Sequence, residues 1–214
     1  MTLNELSMEG LCAELASGSP APGGGSAAAL SGALAASLCA MVCRITLGKE
    51  SRKEAWPEME RSLVQAESLG SKLRALVSAD AEAFMAVMAA RALPKSSEPE
   101  REKRSGAVRA ATLRCARVPL QTLEALAALV SVVESVFSRG EPACRTDSAS
   151  AAVLARAAAL AADYNVRVNL PGIPEPETRG EIATRSAGLL ASMCRTTDRI
   201  EKEMDNSLNE GSRP

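Results

Sequence analysis

The chain has 214 residues, enough to bury a sizeable core in one large domain without a disulfide scaffold. Its 25 basic and 26 acidic residues leave a net charge of -1, and aromatic residues make up 2%, so there is neither a field to attract a polyanion nor a platform to stack bases. Nucleic-acid binding is not expected on those grounds, while 46% apolar and 24% charged residues describe a chain that folds.

Forty alanines stand against one Trp, one Tyr and two Phe, a bias toward helix and away from strand. An all-α protein is the expectation. The absence of histidine removes Ser-His-Asp and Cys-His nucleophile systems, imidazole zinc sites and the usual neutral-pH proton shuttle. Acid-base chemistry is left to carboxylates, lysines, cysteines, Tyr164 and water. The six cysteines (Cys12, Cys39, Cys43, Cys115, Cys144, Cys194) show no paired metal spacing, Cys39 and Cys43, four apart on one helix, read as small buried hydrophobes, and no metal or cofactor is expected. With no secretory pattern at the N-terminus, the expected location is the cytoplasm.

In chain order, Thr2 and Glu5 stand in capping-box spacing before an amphipathic helix running to Ala16. Ser17 to Gly25 (SGSPAPGGG) then breaks the pattern. Ser26 to Leu47 is nearly all Ala, Leu, Ser, Cys, Met and Val. It is long enough to span a bilayer, but Arg44 and the weak insertion energy of Ala and Ser favour a helix buried on all sides, with no membrane partner.

Glu58 to Leu93 is a long amphipathic helix opened by Pro57 and stopped by Pro94. Glu100 to Arg117 forms the next helix, and Pro119 opens or kinks another to Ser138, with Gly140 as its stop. An Ala-rich helix covers Ala149 to Tyr164. In Asn165 to Pro174, Val166, Val168 and Leu170 alternate with polar residues, which predicts an extended stretch. Glu175 to Met204 is the last helix, with a flexible polar tail from about 205 to 214. The sum is a single bundle of about seven helices over residues 1–214.

Five places break the helical pattern. Pro22 to Ser26 sets three glycines at a helix start, where unpaired N–H groups attract an anion, although such a turn is most often only a turn. It does not fit a nucleotide P-loop. Asp80, in Asp80-Ala81-Glu82-Ala83-Phe84, falls close to the apolar stripe, so its charge either meets a partner or reaches solvent. Lys95 follows a helix end in Leu93-Pro94-Lys95. Thr146-Asp147 reads as an N-cap pair, and Asn165 and Asn169 sit in the extended stretch.

Taken in order, these stretches resemble the cyclodeaminase/cyclohydrolase family of folate enzymes. The resemblance runs from Pro22-Gly23-Gly24-Gly25-Ser26 through Thr46-Leu47-Gly48-Lys49, the Asp80 run, Leu93-Pro94-Lys95 and the Asp147 connection to Asn165-Val166-Arg167-Val168-Asn169-Leu170. It implies an all-helical bundle that forms a homodimer and acts on a tetrahydrofolate one-carbon derivative. One family reaction closes 5-formimidoyltetrahydrofolate to the 5,10-methenyl form with loss of ammonia; the alternative opens the methenyl form with water to 10-formyltetrahydrofolate. Both need a carboxylate beside a cationic carbon and a proton carrier. The resemblance assigns those roles to Asp80 and Asp147, with Lys95 as an electrostatic partner that lowers a carboxylate pKa. Gly23, Gly24, Gly25 and Ser26 are expected to hold the pterin or the glutamate tail, and Asn165 and Asn169 to meet a pterin edge. Departures from the pattern are Cys144 and Arg145 before Asp147, and Ser148 and Ser150 after it. Two non-enzymatic readings stay open: a helical dimer that lost the chemistry, and an interaction module built on Ser26 to Leu47.

Overall fold

The structure is a computed structural model, described here for residues 3–211; the Thr2 half of the expected capping box lies outside that range. Six α-helices occur among the described residues: α1 (Met8–Ala16), α2 (Gly24–Leu47), α3 (Trp56–Arg91), α4 (Glu98–Arg139), α5 (Arg145–Asn169) and α6 (Pro176–Gly211). Short 3-10 turns join them, and no described residue is in a strand. From α2 onward, successive long helices run antiparallel, and α6 packs on both α4 and α5.

α2 sits at the centre. Ala28, Ala29, Ala33, Ala35 and Ala36 are buried on several of its faces, because small side chains let α3, α4 and α5 approach together. A Cβ at Gly32 would lie 2.6 Å from Leu126 Cδ2, and one at Gly70 of α3 would lie 3.3 Å from Ala36 Cβ. α2 and α4 are both long and apolar enough to cross a membrane, and most of each apolar window is covered by other helices of the bundle. The main core joins α2, α3, α4, α5 and α6 through residues such as Leu73, Leu126, Ala155 and Met193.

Four sequence expectations are corrected. α4 runs unbroken through Pro119, so two expected helices are one and the total is six rather than seven. The pyrrolidine ring removes one N–H, but Pro119 is buried in the α4 packing face, which holds the helix together across that gap. α5 continues through the stretch read as extended, because Val166 is buried against Ala116, Ile173 and Ile182 at helical spacing. Its start at Arg145 places Thr146 and Asp147 within the first turn, so they are not the N-cap; that position is Cys144. Finally, α6 carries the pattern Ile200, Met204, Leu208 on to Gly211, so the polar segment after Met204 is helical through residue 211.

Near the N-terminus, Leu3–Glu5 is a 3-10 turn and the cap of α1 is Ser7, whose hydroxyl accepts the Gly10 N–H at 3.1 Å. Ser97 caps α4 in a capping box with Glu100, which fixes the α3–α4 hairpin beyond Lys95.

Candidate active site at the start of α2

Gly23 is the N-cap of α2, with no side-chain cap, so the first-turn N–H groups of Gly24, Gly25 and Ser26 have no preceding helical carbonyl. The glycines are needed for space rather than for unusual dihedrals, since no described glycine has a positive φ. A Cβ on Gly25 would lie 2.1 Å from Asp80 Oδ1 and 2.5 Å from its Cγ, so only a hydrogen fits beneath that carboxyl. A Cβ on Gly24 would stand 3.3 Å from Asn165 Nδ2. The turn, Asp80 of α3 and Asn165 of α5 therefore converge.

Asp80 is half-buried, and burial pushes its carboxyl above the usual carboxylate range; the Ser26 hydroxyl and backbone N–H act in the opposite direction. The expected lowering by a lysine is not what sets this group. Ser26 is buried, and its Oγ lies 2.9 Å from the Val77 carbonyl and 3.0 Å from Asp80 Oδ2. A hydroxyl has one proton for these two acceptors. When Asp80 is ionised, Ser26 donates to it; when Asp80 is protonated, the carboxyl donates to Ser26, which turns its own proton to Val77.

The two asparagines are four residues apart on α5 and share a face. Asn165 Nδ2 donates to the Ala161 carbonyl at 2.8 Å, and Asn169 Nδ2 donates to the carbonyls of Asn165 at 2.8 Å and Cys115 at 3.2 Å. Their donors serve the backbone, and what they offer a ligand is chiefly the acceptor Oδ1. Cys115, one helical turn before Pro119, is buried, and its thiol is pushed up by burial and by the Asp80 charge, with Arg114 and Arg91 opposing.

Beside the turn, a cavity of about 470 Å³ is lined by Leu3, Glu14, Pro22, Ser78, Glu82 and Met85. The Ser78 hydroxyl is buried there without a hydrogen-bond partner. Asp80 is not among its lining residues: two positions on from Ser78 it leaves α3 on the opposite side, so this cavity and the Asp80 carboxyl are separate features.

Lys95 and Asp147 are not brought to this point within one chain. Lys95 is exposed beyond the end of α3. Asp147 lies at the other end of α5, 18 residues from Asn165, which is ~27 Å and five full turns, so both project from one side of the helix. Around that end, Lys49 pairs with Glu141 at 2.9 Å and holds its carboxyl below the usual range. Thr46 accepts the Glu141 N–H at 2.9 Å, and Arg145 stacks 4.5 Å from the Phe137 ring centroid. The Thr46-Leu47-Gly48-Lys49 motif thus belongs with Asp147, and Gly23 to Ser26 with Asp80.

Residues 7–188 match the family model described as Formiminotransferase-cyclodeaminase. A methenyltetrahydrofolate cyclohydrolase of Methylorubrum extorquens is 33% identical over 195 residues, covering 91% of this chain and 94% of that protein. The formimidoyltransferase-cyclodeaminase of Sus scrofa is 32% identical over 177 residues, and the match spans 33% of its length. The crystal structure of formiminotetrahydrofolate cyclodeaminase from Thermotoga maritima superposes with a TM-score of 0.87 at 29% identity, covering 96% of this chain and 99% of that one.

Proposed function

Because the chain belongs to the formiminotransferase-cyclodeaminase family of folate one-carbon enzymes, we propose that it closes 5-formimidoyltetrahydrofolate to 5,10-methenyltetrahydrofolate with release of ammonia. The observation that carries this reading is Asp80, a carboxyl seated on Gly25, hydrogen-bonded to Ser26 and with its pKa raised by burial. N10 of the substrate attacks the amidinium carbon and forms a tetrahedral centre between two ring nitrogens and the departing amine. The proton on N10 has to leave and the amine has to gain one. Asp80 accepts the first and delivers it to the second, so the enzyme ends as it began, and its raised pKa suits both transfers. Ser26 follows each change by swinging its proton between Val77 and the carboxylate. The ionised carboxylate also stabilises the cationic product. No metal, protein nucleophile or cofactor enters this scheme.

The cyclohydrolase reading is favoured by the Methylorubrum extorquens relative, which matches over nearly its whole length. There Asp80 takes a proton from water as it adds to the methenyl carbon. Incubating purified protein with 5-formimidoyltetrahydrofolate tests the two: rising methenyl absorbance with stoichiometric ammonia supports the first. Accelerated decay of methenyltetrahydrofolate without ammonia release transfers the assignment to the second.

The proposal includes a homodimer. α2 leaves Leu34 and Ile45 exposed at 47% and 38%, and the neighbouring antiparallel α5 exposes Val153 and Tyr164 at 49% and 61%, apolar side chains available to a second copy. A second copy seated there about a two-fold axis crossing the middle of both helices would bring Asp147 of the partner subunit toward Asp80. The site would then hold both carboxylates that one chain separates.

A further inference from the structure

A cleft of about 580 Å³ lies where the end of α3, the start of α4 and the 171–174 loop meet, lined by Arg91, Arg104, Arg109, Gly172 and Pro174. The three arginines are unequally engaged. Arg109 pairs with Glu175 at 3.2 Å, and Arg104 gives its Nε to the Arg91 carbonyl at 3.1 Å. Among the described residues, the two terminal nitrogens of Arg104 and the whole guanidinium of Arg91 meet no carboxylate. In a chain with a net charge of -1, this is a concentration of positive charge in a concave place.

The cleft lies on the Asp80 side of α3. Arg91 follows Asp80 by 11 residues on α3, which is ~16 Å along the axis and about 20° around it, so both side chains leave the same side of the helix. Across on α4, Cys115 feels the charges of both Asp80 and Arg91 and its carbonyl holds Asn169, while a Cβ on Gly172 would lie 2.7 Å from Thr112. That contact fixes the loop as the floor of the cleft. Asp80, Asn169 and the arginines thus mark one track, with a reacting end and a basic end.

We infer that this basic cleft is an anion subsite in which Arg91 and Arg104 hold the tail carboxylates of the folate whose one-carbon bridge sits at Asp80. The inference rests on the folate reading of the Asp80 site and adds what that site lacks, a counter-charge for the far end of the ligand. Arginine suits the task because its planar fork matches a carboxylate with two parallel bonds.

The test is calorimetric titration of the full chain with folinic acid, a stable folate carrying the glutamate tail, and with a reduced pterin that lacks the aminobenzoylglutamate portion. Arg91→Gln and Arg104→Gln are each expected to weaken folinic acid about tenfold while leaving the tail-less pterin unchanged, with the melting temperature of Arg91→Gln unaltered. The salt dependence of folinic acid binding should flatten in both variants. Arg91→Lys should recover part of the loss. Unchanged folinic acid affinity in both Gln variants, or equal weakening of the two ligands, overturns the subsite. A wild-type chain that binds the tail-less pterin and folinic acid equally also overturns it, whereas one that binds neither overturns the folate reading beneath it.

Discussion

The side-chain amide of Asn169 takes up the backbone carbonyl of Cys115 at 3.2 Å, the acceptor that Pro119, four residues on, has no N–H to satisfy. A residue chosen as a ligand contact is therefore also a structural brace between α4 and α5. Replacing Asn169 with Ala is expected to cost about 1–3 kcal/mol by leaving a buried carbonyl unpaired. Restoring the N–H with Pro119→Ala should shrink that cost, and a double-mutant cycle in denaturant measures the coupling. Simple additivity of the two changes would show that the brace does not act through this carbonyl.

Gly25→Ala places a methyl group where the Asp80 carboxyl lies. The carboxyl must swing away, and turnover is expected to fall by about 10²–10⁴, the range associated with loss of a positioned acid-base group. Circular dichroism should remain helical, since alanine favours helix more than glycine does. Full activity in this variant would remove Asp80 from the mechanism.

The pH dependence of stability has a definite sign at Asp80. Its folded pKa is raised, so the carboxyl favours folding most when protonated, below the unfolded value of about 3.9, and that contribution is lost as pH rises through the folded value. Asp80→Asn carries no charge at any pH. Thermal melts from pH 3 to 8 are expected to show the variant gaining on the wild type as the pH rises, with little difference at the acid end. A constant difference across the range would mean that burial does not set this group.

Ser26→Ala removes donation to the carboxylate and leaves the burial, so the Asp80 pKa should rise further. The acidic limb of the turnover profile should move to higher pH, with a smaller fall at the optimum than Asp80→Asn produces. An unmoved profile would separate Ser26 from the titration.

Mixing Asp80→Asn with Asp147→Asn chains tests the shared site of the proposed dimer. If each site takes one carboxylate from each copy, co-expression restores about a quarter of wild-type turnover, because half the dimers are mixed and each of those has one intact site. Two inactive variants that stay inactive together would overturn the shared site, and an active Asp147→Asn chain would dismiss Asp147.

The helical class and most helix boundaries were legible because alanine content and three-to-four spacing are local properties. Pro119 was misread because a proline looks the same in a loop and in a helix whose tertiary contacts carry it. Asn165 to Leu170 was misread because alternating valines mimic a strand over six residues, while the burial of Val166 against α4 and α6 is decided from a distance. In the site, the glycine turn, Asp80 and Asn165 did converge. The remoteness of Lys95 and Asp147 follows from helix length, which spacing alone does not orient. Arg91 and Arg104 were missed, although the 11-residue interval from Asp80 to Arg91, three turns of helix, was there to be counted.

The tight seam between α2 and α3 ties mechanics to acidity. The dryness that raises the Asp80 carboxyl depends on how closely the two helices lie, and that spacing is set in part at Gly32 and Gly70, more than a turn away from the reacting group. A methyl added at Gly70 would press on Ala36 across the seam, and one at Gly32 on Leu126 and Leu73, so the surroundings of this acid depend in part on hydrogen atoms that never touch it.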